Sequence, residues 1–154
     1  MGINKDYRLT QVGVDELKHE LEKLKQRRQD VAQKLKDAKE QGDLSENSDW
    51  EAAQDEQKYV EGRINEVEHI LQNVQVITVP ANSKQVQLGS TVTLQQNGNE
   101  VIYTLVGSIE SNPREGKISN ESPIGRELLD KKVGEEVTVL TPSSTTIFKV
   151  TKIS

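Results

Sequence analysis

The sequence predicts an α+β protein: a long antiparallel two-helix coiled-coil hairpin, followed by a small β-sheet domain with one short helix. Two observations carry this prediction. First, two stretches repeat seam positions at alternating spacings of 3 and 4. They are Val14, Leu17, Leu21, Leu24, Arg28, Val31, Leu35, Ala38 and Trp50, Ala53, Gln57, Val60, Ile64, Val67, Leu71, Val74. That alternation is the signature of a coiled coil. Second, the period changes from about 3.5 to 2 after the second stretch, as half-buried strands require.

The hairpin comes first. With Ala38 facing Trp50, the layers run Leu35 with Ala53, Val31 with Gln57, Arg28 with Val60, Leu24 with Ile64, and so on to Val14 with Val74. The two polar exceptions, Arg28 and Gln57, then fall one layer apart. Polar seam residues cost stability, so their adjacency favours this register. The roughly 28 residues from Val14 to Gln41 make an arm of about 40 Å.

The remainder reads as strands. Val74-Gln75-Val76-Ile77-Thr78-Val79 alternates and stops at Pro80, and Ala81 to Gln85 reads as a linker. Thr91 to Gln95 and Glu100 to Val106 flank Asn97-Gly98, a pair that readily takes the positive φ angles of a tight hairpin turn. Ser122 is placed to cap a short helix through Leu129, with Pro123 in its first turn, where a missing N–H is harmless. Glu136 to Leu140 and Thr145 to Ile153 read as a closing pair around Pro142-Ser143-Ser144. The expected domains are therefore 1–79, the hairpin, and 80–154, the sheet.

Composition narrows the function classes. A chain of 154 residues with 32% apolar and 3% aromatic content cannot bury one large core. Without cysteine it has neither disulfides nor thiolate metal sites. Its polar first ten residues do not resemble a signal peptide, and no apolar run is long enough to span a bilayer, so a cytoplasmic protein without membrane contact is expected. A hairpin that closes its own seam needs no partner helix, which points to a monomer. The net charge of -5 argues against wrapping duplex nucleic acid through bulk attraction. Charge is uneven, however. Asp43, Glu46, Asp49, Glu51, Asp55 and Glu56 form an acidic stretch, whereas Lys23, Lys25, Arg27, Arg28, Lys34, Lys36 and Lys39 dominate the preceding one. Two explanations stand: pairing across the arms, or a basic strip that meets RNA.

No glycine-rich phosphate loop is present, since Gly107, Gly116 and Gly125 lie too far apart. His19 and His69 fall in one layer of the register, but such histidines are usually solvated. The remaining constellation is the turn, Gly42-Asp43-Leu44-Ser45-Glu46-Asn47. Asp43 and Glu46 fit a D-x-x-E capping box that opens the second helix. They also fit two hard oxygen ligands for Mg²⁺, a set that is incomplete until other groups fill the octahedron.

That turn resembles a known family, together with Ala52-Ala53-x-x-Glu56-Gln57, Glu61-Gly62-Arg63-Ile64, Gly116-Lys117-Ile118-Ser119, Glu121-Ser122-Pro123-Ile124-Gly125-Arg126 and the opening Leu9-Thr10-x-x-Gly13. It is the GreA/GreB family of bacterial transcript cleavage factors, and the absence of an insertion-rich or strongly basic hairpin is closer to its GreA branch. The resemblance spans nearly the whole chain. It implies an FKBP-like fold for residues 80–154, which would hold the rim of the secondary channel of RNA polymerase while the hairpin enters that channel. It further implies that Asp43 and Glu46 help the polymerase hold a Mg²⁺ that cleaves the 3′ part of a backtracked transcript. This chain would then be an accessory factor that binds no cofactor stably by itself.

The same resemblance makes Gly42, Leu44, Ser45 and Asn47 residues that shape the tip. Lys36 and Lys39 become RNA-facing candidates, and Ser122, Pro123, Ile124 and Arg126 polymerase-binding candidates. Three positions depart from the family pattern. Trp50 replaces a usual tyrosine, Gln54 a usual Lys or Arg, and Gly125 a usual alanine, which predicts a weaker short helix. Gln54 and Trp50 motivate an alternative, a channel-binding regulator that does not stimulate cleavage. A prolyl isomerase is disfavoured because residues 80–154 hold just two aromatics, Tyr103 and Phe148.

Overall fold

In the computed structural model, residues 7–42, 47–80 and 83–154 are described. The elements are β1 (Tyr7–Thr10), α1 (Gln11–Glu40), α2 (Ser48–Asn73), β2 (Val74–Ile77), β3 (Thr91–Gln96), β4 (Asn99–Val106), a 3-10 turn at Pro113–Glu115, β5 (Lys117–Ser119), α3 (Pro123–Leu128), β6 (Glu136–Leu140) and β7 (Thr145–Ile153). The architecture is α+β, with two long helices and a mixed sheet. Among the described residues no helix is long and apolar enough to cross a membrane.

The chain forms two compact units, one of Val14–Asn73 and one of Met1–Gly13 with Val74–Ser154. This division differs from the expected boundary at 79/80. The reason is β1, which pairs in parallel with β2 from Tyr7 opposite Val74 to Thr10 opposite Ile77. Parallel strands need a long connection, and here the two long helices supply it.

In the hairpin unit the seam is apolar, as its spacing requires. Leu24, Val31, Val60, Ile64 and Val67 form its buried cluster, with Leu17, Leu21, Leu35 and Leu71 packed around them. Ala38 and Ala53 are buried at the tip end. The expected polar layer is absent. Arg28 turns outward to Glu61, with Nε–Oε1 at 2.8 Å and Nη2–Oε2 at 3.1 Å, and Gln57 is exposed. A guanidinium reaches water at little cost by extending along the helix surface, so a seam position does not force burial of the charge.

In the sheet unit the strand order is β5-β4-β3-β7-β6, and β4 and β5 are parallel while the other neighbours are antiparallel. Its core is Val86, Val92, Leu94, Leu105, Ile118, Leu128, Val137, Val139, Phe148 and Val150. Gln96 pairs with Asn99, leaving a two-residue turn in which Asn97 and Gly98 have φ of 49° and 83°. Both angles are positive, as the type I′ turn demands.

The helix α3 fixes the polymerase-binding candidates. The Ser122 hydroxyl accepts from the Gly125 N–H at 3.1 Å and donates to the Ser119 carbonyl at 2.6 Å. The expected weakening by Gly125 needs correction. A Cβ at this position would lie 2.0 Å from the Ser119 carbonyl oxygen, so the glycine permits a close approach of β5 to α3.

Candidate functional site

The tip is built from the ends of two helices. α1 ends at Glu40, and two residues later Gly42 has φ of 114°, which favours glycine. α2 begins at Ser48, and Asn47 is its cap: its Oδ1 accepts from the N–H groups of Asp49 at 3.1 Å and Trp50 at 3.2 Å. The capping box read at Asp43 and Glu46 falls outside the described residues, and the cap they show is Asn47. Asn47 also spans the arms, since its Nδ2 donates to the Ala38 carbonyl at 2.9 Å. Asp43, Leu44, Ser45 and Glu46 lie outside the described residues.

Beside the tip, a depression of about 310 Å³ is lined by Lys34, Asp37, Ala38, Gln41, Asp49, Ala52, Ala53 and Glu56. Small seam residues at this end leave that space, in contrast to the leucine and isoleucine layers further down.

Most of the basic stretch is committed to cross-arm pairs. Glu56 receives Arg27 Nε at 2.9 Å and Lys34 Nζ at 3.1 Å. The Arg27 guanidinium, then the Lys34 ammonium, holds the Glu56 carboxyl below its ordinary value. Arg27 also sits 5.5 Å from the centre of the Tyr59 ring. Arg63 makes two bonds to Glu20, at 2.6 and 2.9 Å, and one contact to Glu66 at 3.1 Å. The Glu20 bonds bind its proton more firmly still. Lys25 reaches Glu68 at 3.8 Å.

Lys36 and Lys39 are exposed, and among the described residues neither enters an ion pair. Lys39 also lies in the last turn of α1, where the helix dipole favours a cation. The stretch is thus divided, with arm pairing lower down and uncompensated lysines near the tip.

On the sheet unit Pro123 and Arg126 are exposed, whereas Ile124 is half-buried against the core. His19 and His69 are exposed, and Asn73 bonds the His69 carbonyl at 2.8 Å. Among the described residues no group of three His, Cys, Asp or Glu side chains is arranged to hold a metal. Sequence reasoning missed two residues, Asn47 as the cap and Glu56 as the hub of the ion pairs. The cap signal was present as Asn47-Ser48-Asp49 but competed with Asp43-x-x-Glu46.

Comparison with known proteins agrees over both units. Residues 7–76 match the family "Transcription elongation factor, N-terminal", and residues 81–154 match "Transcription elongation factor, GreA/GreB, C-term". The transcription elongation factor GreA of Bacillus cereus is 49% identical over 146 residues, covering 92% of each chain. That of Bacillus subtilis is 46% identical over 157 residues, covering 100% of each. The crystal structure of GreA factor homolog 1 from Thermus thermophilus aligns with 97% of this chain and 99% of its own, at 30% identity and a TM-score of 0.46. With both of its halves matched, the chain belongs to the GreA/GreB family of transcription elongation factors.

Proposed function

We propose that this elongation factor inserts its hairpin into the secondary channel of RNA polymerase and stimulates cleavage of backtracked RNA, rescuing arrested complexes. The observation that carries this reading is the cap. Because Asn47 serves the first turn of α2, neither Asp43 nor Glu46 is needed there. Two carboxylates in a seven-residue connection between long helices are then available to a partner.

Their chemistry fits a shared cation. Asp43 and Glu46 offer hard oxygen ligands suited to Mg²⁺, but two carboxylates alone leave most of its shell open. Bound between these acids and those of the polymerase, Mg²⁺ would supply charge stabilisation and an activated water for phosphodiester hydrolysis. The chain itself contributes the carboxylates and the arm that carries them. Lys36 and Lys39, free of ion pairs among the described residues, supply positive charge toward the RNA 3′ end. Ser122, Pro123, Ile124 and Arg126 supply the grip on the channel rim. The protein acts as a monomeric accessory, and the polymerase holds the reacting atoms.

The test is to add the protein to a backtracked elongation complex with labelled transcript and Mg²⁺ and follow shortening from the 3′ end. Accelerated shortening that disappears with Asp43→Asn and Glu46→Gln is expected. Binding without shortening would instead establish a channel-blocking regulator, the alternative that Gln54 and Trp50 motivate.

A further inference from the structure

We infer that Asn47 is a positioning residue for the tip, chosen over other capping residues because its amide joins the two arms. Asp and Ser cap helices about as well as Asn, and Thr somewhat less well. A side-chain oxygen suffices for the two bonds that Asn47 Oδ1 accepts from Asp49 and Trp50. Asp has no donor, and Ser or Thr carries its single donor on the accepting oxygen itself, whereas the amide places donor and acceptor on separate atoms, so Nδ2 reaches the Ala38 carbonyl while Oδ1 faces α2. The partners leave one orientation of the amide, since two N–H groups face its oxygen and a carbonyl faces its nitrogen.

The acceptor matters as much as the donor. Ala38 is buried and lies in the last turn of α1, where carbonyls lose their intrahelical partners. Its oxygen otherwise receives the Gln41 N–H, at a longer 3.3 Å. One side chain therefore ties the last turn of α1 to the first turn of α2, at the two ends of the segment that carries Asp43 and Glu46. Fixing both ends of so short a segment limits the positions its carboxylates can take. A displacement of about 1 Å in a reacting constellation costs up to about a hundredfold in rate.

This inference rests on the cleavage reading, and its test separates the two. Asn47→Asp and Asn47→Ser keep a cap acceptor and remove the amide donor, whereas Asn47→Ala removes both. Asn47→Ser also controls for the charge that Asn47→Asp adds. Each protein is titrated into the backtracked polymerase complex, and the maximal shortening rate is separated from the half-saturating concentration. Expected for Asp and Ser are unchanged helicity, half-saturation within about twofold of wild type, and a maximal rate lower by about tenfold or more. Amide exchange should speed up at Ala38 to Gln41 while Asp49 and Trp50 stay protected. Full maximal rate in both variants, or a rate loss that follows loss of helicity, overturns the assignment. If the unaltered protein shortens no transcript, the cleavage reading fails, and the exchange data alone then decide whether the amide holds the two ends.

Discussion

Glu110 shows how much one carboxylate does in this chain. It lies 100 residues from Thr10, accepts from the Thr10 N–H at 3.0 Å and from its hydroxyl, and so holds the residue that caps α1 through the Gly13 N–H. A negative group at a helix N-terminus is further favoured by the dipole. Glu110→Ala is expected to lower the free energy of unfolding by about 1–3 kcal/mol, because it removes two bonds to a charged acceptor. Glu110→Gln should cost less, since it keeps an oxygen for the Thr10 N–H. Urea denaturation followed by circular dichroism separates the two, and equal effects would show that the retained oxygen contributes nothing without the charge. At this scale the sequence was partly legible. Ser122 as a cap and Asn97-Gly98 as a turn rest on local chemistry. Asn47 and Glu110 depend on partners the sequence does not name, the Ala38 carbonyl and Thr10. Gly125 was misjudged for the same reason, because the Ser119 carbonyl that requires it belongs to another element.

Among the elements, the hairpin was the more legible, since a 3–4 spacing repeats over two 26- and 30-residue helices and each layer tests the previous one. β1 escaped because Tyr7-Arg8-Leu9-Thr10 is four residues long and pairs in parallel with a strand beyond both helices. Strand pairing of that kind leaves no local trace. β5 is shorter still, with three residues. The hairpin carries a pH dependence that can be stated with its sign. Bonds from Arg27 and Lys34 place the Glu56 pKa below its ordinary 4.5. The folded hairpin therefore gains from this carboxylate at pH above about 4.5, and loses that gain as acidification protonates it. The helix signal of the unaltered protein should fall more steeply below this value than that of Glu56→Gln, which has no charge left to lose. Acid titration curves that coincide for the two proteins would sink the assignment to Glu56. Since the group is exposed in part, its contribution is screened by salt, and the difference should shrink in high salt.

At the scale of the whole molecule, each unit closes its own apolar core, so a surface change on one leaves the packing of the other intact. We propose that the tasks divide in the same way, with the tip setting the rate of transcript cleavage and α3 setting the affinity for polymerase. Arg126 tests the second half. It is exposed on α3, and the helix beneath it is held by the Ser122 cap and by Leu128 in the core rather than by Arg126 itself. Removing its side chain should therefore leave the fold unchanged. Arg126→Ala is expected to raise the half-saturating concentration in the backtracked-complex assay by about tenfold, equivalent to about 1.4 kcal/mol. The maximal rate should stay at the wild-type value. Asp43→Asn with Glu46→Gln should do the reverse, abolishing the rate while competing for the polymerase as well as the unaltered protein does. A tip variant that also loses affinity would place part of the grip in the channel. If Arg126→Ala instead lowers the maximal rate at saturation, α3 influences the geometry of cleavage, and the division of labour between the units fails.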